Sequence, residues 1–127
     1  MGIGTMDTKS ALGIERVGND AVVSFSRRCI SDVEEISCAS DQIQGYVEQH
    51  QPARIIFDFS GVKFFSSQVL GLLLEVRARL QSQGGQVIVA SLNAQLERVF
   101  KITNLDRIFT FVPDKDAAFG EAAGAPG

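Results

Sequence analysis

The first apolar runs of the chain alternate between two faces, which is typical of β-strands. Residues 12–17 read LGIERV and residues 21–26 read AVVSFS, and the turn-forming residues Gly18, Asn19 and Asp20 separate the two runs. Alternating runs that are joined by such a short polar turn predict a β-hairpin at the start of the fold.

After Ile30 the apolar residues recur every three to four positions, which is typical of an amphipathic helix. Ser31 with Glu34 three residues later matches a capping box, and Pro52 ends the periodic segment. We therefore expect a helix that is capped by Ser31, with Cys38 outside its apolar face. The face that would pack on a sheet comprises Ile36, Ala39, Ile43, Val47 and His50.

The centre of the chain predicts a buried strand, a long helix and a second buried strand. Ile55–Phe59 is almost wholly apolar, and so is QVIVAS at residues 86–91. The helix between them is expected to begin near Ser67 and to end at Gly84 and Gly85. Two buried strands that are joined by a helix are typical of a parallel crossover. The inward face of this helix would comprise Val69, Leu70, Leu73, Leu74, Val76 and Leu80.

The remaining segments predict a third helix, a short strand and a weak terminal helix. Asn93 would cap the helix AQLERVFKIT, RIFTFVP would form the strand, and DKDAAFGEA would form the terminal helix. The pattern as a whole predicts an α/β fold with a mixed sheet of four to five strands, opened by the N-terminal hairpin and packed with about four helices. The inward residues of the third helix would be Leu96, Val99, Phe100 and Ile102.

Composition and charge narrow the class of protein. The 127 residues are 45% hydrophobic and 21% charged, a balance typical of one globular domain. We expect that domain at residues 12–119, between flexible segments at residues 1–11 and 120–127. The net charge of −3 and the scattered basic residues argue against a nucleic-acid partner. Because no apolar run approaches the ~18 residues of a membrane span and no signal peptide is evident, we expect a cytoplasmic protein without membrane insertion.

The residues that usually carry catalysis or bind metals are few and scattered. Cys29 and Cys38 lack the CxxC spacing of metal sites, and His50 is the single histidine. Glycine-rich phosphate loops and the GxSxG motif of serine hydrolases are absent from the sequence. We therefore predict no enzyme activity, no metal and no cofactor, and two free thiols.

Polar residues interrupt the apolar pattern where the central strand ends and the long helix begins. Asp58 closes the strand, and we expect it to accept backbone hydrogen bonds in the SGV turn or to shape the mouth of the next helix. Ser66, Ser67 and Gln68 follow in the stretch FFSSQVLG. Helix N-termini accept hydroxyl caps and anions alike, so these residues either cap the helix or meet a partner or a phosphate.

Three segments in this half of the chain resemble the STAS domain family of bacterial anti-sigma factor antagonists. They are DFSGVKFFSSQVLGLLL, GGQVIVASL and LERVFKITNLDRIF. In order and spacing they are similar to the family's strand and serine-bearing loop, its glycine-led strand and its closing helical segment. The resemblance covers about half of the chain, from Ala53 to Val112, and implies the same α/β fold.

The resemblance also implies a function as a partner switch. Such proteins bind an anti-sigma factor that is a GHKL-type serine kinase, and phosphorylation of the loop serine releases them. The family loop most often reads Asp-Ser-Ser-Gly-Leu-Gly, with the second serine as phosphoacceptor. In this chain Ser66 replaces the aspartate, Ser67 matches the first serine, Gln68 occupies the acceptor position, Val69 replaces the glycine, and Gly71 is kept.

The resemblance leaves two functions open. In the first, the chain is an anti-sigma factor antagonist with Ser67 or Ser66 as the candidate phosphoacceptor. In the second, it is a non-phosphorylated STAS subunit of a larger assembly, such as a lipid-transport complex or a stress-sensing scaffold. In either case the expected partner-binding loop comprises Asp58, Ser60, Ser66, Ser67, Gln68, Val69 and Gly71.

Overall fold

The predicted hairpin opens the main sheet. The computed structural model describes residues 12–25, 29, 30 and 32–114. Strand β1, Leu12–Val17, pairs antiparallel with strand β2, Asp20–Phe25. Gly18 occupies the turn with a φ of 61°, a left-handed conformation that glycine adopts without a steric penalty.

The central strand of the sheet is β4, Arg54–Asp58, as its apolar sequence predicts. The five strands lie in the order β1-β2-β4-β6-β7, where β6 is Gln86–Ala90 and β7 is Thr110–Val112. Strands β2, β4, β6 and β7 are parallel, so β4 has a parallel neighbour on each side. The mixed sheet and the crossover from β4 to β6 are therefore confirmed.

The first helix, α1, spans Val33–His50 and buries most of its predicted stripe. Ile36, Ala39, Ile43 and Val47 are buried, whereas His50 is exposed and its ring centroid lies 4.4 Å from that of Tyr46, with the two rings tilted by 34°. The prediction that Ser31 caps this helix was wrong, because the side chain of Asp32 accepts the hydrogen bonds of the first turn. Cys38 is exposed and free, as expected from its position off the stripe.

The second helix, α2, spans Ser67–Gln81 and connects β4 to β6. Its buried face was predicted correctly except at two leucines, one at each edge of the face. Leu72 is buried, whereas Leu74 is 37% exposed. The prediction that Leu74 faces inward was therefore wrong.

The third helix, α3, spans Ala94–Ile102, and Asn93 caps it as predicted. Leu96 and Phe100 are buried, but Ile102 is 71% exposed, so its predicted inward position was wrong. A 3-10 helix, Leu105–Arg107, then leads to β7. The predicted terminal helix and the predicted flexible ends lie outside the described residues, except for Asp114 at the start of that helix.

A second sheet of two short strands was not predicted. Strand β3, Cys29–Ile30, pairs in parallel with strand β5, Phe64–Phe65. Strand β3 precedes α1 and β5 precedes α2, and the two helices pack against each other. The small sheet therefore brings the N-termini of α1 and α2 to the same edge of the molecule.

The buried side chains of all three helices share one core with one face of the main sheet. Val22, Ile56, Ile88, Ala90 and Val112 form a second buried cluster on the opposite face. Among the described helices, none has the length and apolar character that a membrane crossing requires.

Candidate functional site

The candidate site lies beyond the carboxyl end of β4, where the loop of residues 59–66 leads into α2. Open α/β sheets commonly bind ligands and partners at this edge, because loops and helix N-termini meet there. All seven residues of the predicted partner-binding loop lie on β4, on this loop or in the first turns of α2. The structure distributes them between the core and the surface.

Asp58 forms a closed turn with Ser60 and is only 6% exposed. Its Oδ1 accepts a hydrogen bond from the Ser60 amide at 3.1 Å, and its Oδ2 accepts one from the Ser60 hydroxyl at 3.3 Å. The prediction that Asp58 accepts backbone hydrogen bonds in this turn is confirmed. Gly61 follows with a φ of 86°, and the Val62 amide donates to the Phe59 carbonyl at 2.9 Å. This combination is typical of a type II turn, which needs a positive φ at its third residue.

Every third side chain anchors the loop in the core. Phe59, Val62 and Phe65 are between 0% and 3% exposed. The Phe59 ring lies 5.1 Å from the ring centroid of Phe25 and 5.4 Å from that of Phe65. These contacts are within the range of favourable aromatic pairs, so burial fixes the backbone that carries the exposed residues between the anchors.

Ser66 is the N-cap residue of α2, but its side chain does not cap the helix. Its amide donates to the Ile30 carbonyl at 2.9 Å and its carbonyl accepts from the Val69 amide at 3.0 Å. Within the described part of the chain, its buried hydroxyl oxygen has no hydrogen-bond partner. Ser66 therefore holds the helix start through its backbone.

Ser67 and Gln68 are both exposed in the first turn of α2. Gly71 is exposed one turn further along, with open space around the position of a Cβ atom. Val69, by contrast, is 1% exposed and packs in the core. A partner that approaches this edge would therefore meet Ser67, Gln68 and Gly71, with Ser60 on the neighbouring turn, rather than Asp58 or Val69.

Phe64 is an exposed aromatic residue that was not among the predicted site residues. It is 45% exposed, whereas its neighbour Phe65 is 3% exposed. Successive side chains in a strand point to opposite faces, so one of the two phenylalanines must face outward. Phe64 lies two residues before the N-cap of α2, and it adds an apolar contact to the polar surface of Ser67 and Gln68.

The neighbouring N-terminus of α1 carries several negative charges. The Asp32 carboxylate accepts hydrogen bonds from the Glu34 amide at 2.8 Å and from the Glu35 amide at 3.3 Å. Glu34 and Glu35 place two further carboxylates in the first turn, whereas the first turn of α2 has none. Acidic residues therefore compensate the positive end of the helix dipole at α1, whereas the first turn of α2 has no acidic residue to do so.

The chain is similar to one domain family along most of its length. Residues 14–118 match the family model of the STAS domain. Over 71 residues the chain is 34% identical to a Thermotoga neapolitana protein that is provisionally named an anti-sigma factor antagonist and homolog of TM1081. This match covers 56% of the chain and 63% of the relative, so the chain spans less than two thirds of that protein's length.

Solved structures show the same fold. The STAS domain protein of Planctomyces limnophilus superposes with a TM-score of 0.80 at 20% identity, over 89% of this chain and 98% of the other. An anti-sigma factor antagonist of Mycobacterium paratuberculosis gives a TM-score of 0.74 at 26% identity, over 86% of this chain and 90% of the other. The motif resemblance is therefore confirmed by both sequence and fold. Because the family model matches residues 14–118, the chain belongs to the STAS domain family.

Proposed function

We propose that this chain is a regulatory protein-binding module, an anti-sigma factor antagonist that binds an anti-sigma factor through the loop before α2 and the first turns of α2. The observation that carries the proposal is the exposure of Ser67 and Gln68 on a backbone that buried side chains hold in place. The names of its Thermotoga and Mycobacterium relatives support the same class of partner. The module acts by binding, in the cytoplasm, and the binding unit comprises residues 12–119.

The proposed partner is an anti-sigma factor of the GHKL serine kinase type. In this proposal Ser67 is the residue that the kinase phosphorylates. The Ser67 side chain is exposed, whereas the Ser66 hydroxyl is buried, so a kinase has access to Ser67 first. Gln68 occupies the family's acceptor position but has no hydroxyl, so it serves as a neutral contact.

Magnitudes indicate what a phosphate on Ser67 would do. At a helix N-terminus the dipole would favour the dianion by roughly 0.3–2 kcal/mol. The same charge, pressed unpaired into an interface with a partner, would cost about 3–5 kcal/mol. Phosphorylation would therefore release the partner without unfolding the domain.

The first test identifies the partner and the phosphorylated residue. The purified chain captures proteins from a lysate of its source organism, and each captured kinase is then expressed and incubated with the chain and ATP. Intact mass and peptide mapping are expected to show one phosphate, on Ser67, that is lost in Ser67→Ala and retained in Ser66→Ala. A phosphate on Ser66, or on a residue outside residues 60–68, would contradict the assignment of Ser67.

The second test places one charge at the proposed interface. Gln68→Glu is expected to weaken binding of the captured anti-sigma factor more than tenfold, because an added carboxylate in an interface loses its hydration. Gln83→Glu, an exposed position after α2, adds the same charge away from the loop and is the matched control. Circular dichroism should be unchanged in both variants. Equal affinities for the two variants would show that Gln68 does not lie in the interface.

A second candidate function is a STAS subunit of a larger assembly that is not regulated by phosphorylation. Gln68 favours this alternative, since a subunit without a phosphorylation switch would not need a serine at that position. The identity of the captured partner separates the two functions. A permease or scaffold protein in place of a kinase, with no phosphate on the chain, would support the assembly role.

A further inference from the structure

We propose that Asn93 is a positioning residue for the partner-binding loop, a role that rests on the proposed function of that loop. Asn93 lies outside the loop, between β6 and α3. Its side chain makes two hydrogen bonds that serve different elements. One bond caps α3, and the other holds the middle of the loop.

The two bonds use opposite ends of the same amide group. The Asn93 Oδ1 accepts from the Leu96 amide at 2.8 Å, which is a standard N-cap bond. The Asn93 Nδ2 donates to the Val62 carbonyl at 3.2 Å. The second bond joins residues 31 positions apart and ties the start of α3 to the turn that follows β4.

The bond to Val62 lies between two other attachments of the loop. At one end the Phe59 amide donates to the Ala90 carbonyl at 3.0 Å, and at the other the Ser66 amide donates to the Ile30 carbonyl at 2.9 Å. The Val62 side chain is buried, and the Asn93 bond adds a second attachment at the same residue by holding its carbonyl. Asn93 therefore fixes the midpoint of the segment that presents Phe64 and, directly after it, Ser67.

The choice of asparagine supports this role. Asp and Ser cap helices about as well as Asn, so capping alone does not require an amide. Asp, however, has no donor when ionised, and the Ser hydroxyl reaches one bond less far. Of these residues, only Asn offers an acceptor for the helix and a separate donor for the loop.

The test separates the two bonds by substitution. Asn93→Asp and Asn93→Ser keep a cap acceptor and remove the amide donor, whereas Asn93→Ala removes both. Amide hydrogen exchange is measured by NMR at Val62 and Ser66, which report on the loop, and at Leu96, which reports on the cap. Asn104→Asp is the charge control, because the exposed Asn104 makes no side-chain cap bond.

We expect exchange at Val62 and Ser66 to accelerate about fivefold in all three Asn93 variants, as the loss of one hydrogen bond predicts. Exchange at Leu96 should accelerate only in Asn93→Ala. The Asp and Ser variants should also bind the captured anti-sigma factor about threefold to tenfold more weakly. Their melting temperatures should fall by only about 4 °C, so the domain stays folded at the temperature of the binding assay.

Two outcomes would overturn the inference. Unchanged exchange at Val62 and Ser66 in the Ser variant would show that the amide donor does not hold the loop. An effect in Asn93→Asp but not in Asn93→Ser would assign the change to the added charge.

The failure of the proposed function gives a different result. In that case exchange accelerates as expected, but neither Asn93→Ser nor Gln68→Glu alters the affinity for the partner. The bond to the loop would then stand, and only the use of the loop as an interface would be wrong.

Discussion

The N-termini of α1 and α2 lie at the same edge of the molecule, but a side chain caps only the N-terminus of α1. At α1 the Asp32 carboxylate accepts two amide hydrogen bonds, and Glu34 and Glu35 add negative charge to the first turn. At α2 the N-cap Ser66 makes no side-chain cap bond, and the first turn contains no acidic residue. Both helices are long and both follow a strand of the same small sheet, so the difference lies in the side chains.

This difference shows at which helix N-terminus the chain's own side chains satisfy the free amides. A helix N-terminus has unpaired amides and about half a positive charge, and a capping carboxylate compensates both. The chain supplies such a carboxylate to α1. At α2 it presents Ser67 and Gln68, with Phe64 beside them, and these neutral side chains leave the helix end able to accept a partner or a phosphate.

The largest expected effect comes from removing the aromatic contact at the α2 end. Phe64→Ala should weaken binding of the proposed partner by about 2 kcal/mol, or roughly thirtyfold, because aromatic residues, phenylalanine included, are enriched at the buried centres of interfaces. Isothermal titration calorimetry with the captured partner would measure the change.

The matched control for Phe64→Ala is Val17→Ala. Val17 is 38% exposed and pairs with Asp20, which lies beside Arg54 at the amino end of β4. It is therefore an exposed apolar residue at the opposite end of the sheet from Asp58. If both variants lose the same affinity, or neither loses any, Phe64 is not a specific contact of the partner.

The next effect concerns the stability that Asp32 gives to α1. Asp32→Ala should lower the free energy of unfolding by about 1 kcal/mol, because it removes the side-chain cap of an 18-residue helix. Urea denaturation would measure the change, with an unaltered m value as evidence that the folded state is intact. Asp32→Asn retains a cap acceptor without the charge and should lose less. Equal losses in the two variants would mean that the charge, rather than the hydrogen bond, stabilises the helix.

Much of the fold could be predicted because long elements carry a clear period. The apolar run of β4 identified the central strand, and the crossover to β6 followed from it. The errors in the helices arose at the edges of the stripes. At about 100° per residue, Leu74 lies about 140° from Val69, and Ile102 lies about 160° from Phe100, so both residues lie outside the buried faces of their helices.

The candidate site was harder to predict because its geometry depends on contacts between distant segments. Strands β3 and β5 have two residues each, which is too short for a period, and only their pairing decides that Phe65 faces the core and Phe64 faces solvent. Ser31 and Asp32 are both good N-caps one residue apart, so the sequence cannot select between them. The bond from Asn93 to Val62 likewise has no local signal, because it joins two loops.

The smallest expected effect tests whether the α2 end is truly uncapped. Ser66→Ala should lower the free energy of unfolding by less than about 0.5 kcal/mol, because the hydroxyl of Ser66 is buried without a partner among the described residues. Removing a buried hydroxyl that has no partner is neutral to stabilising, because no hydrogen bond is lost, whereas removing a working cap costs about 1 kcal/mol. Urea denaturation of Ser66→Ala and of Asp32→Ala under the same conditions would compare how much each N-cap side chain contributes to the free energy of unfolding. A loss at Ser66 as large as the loss at Asp32 would mean that the hydroxyl caps α2 in solution, and the contrast between the two helix ends would disappear.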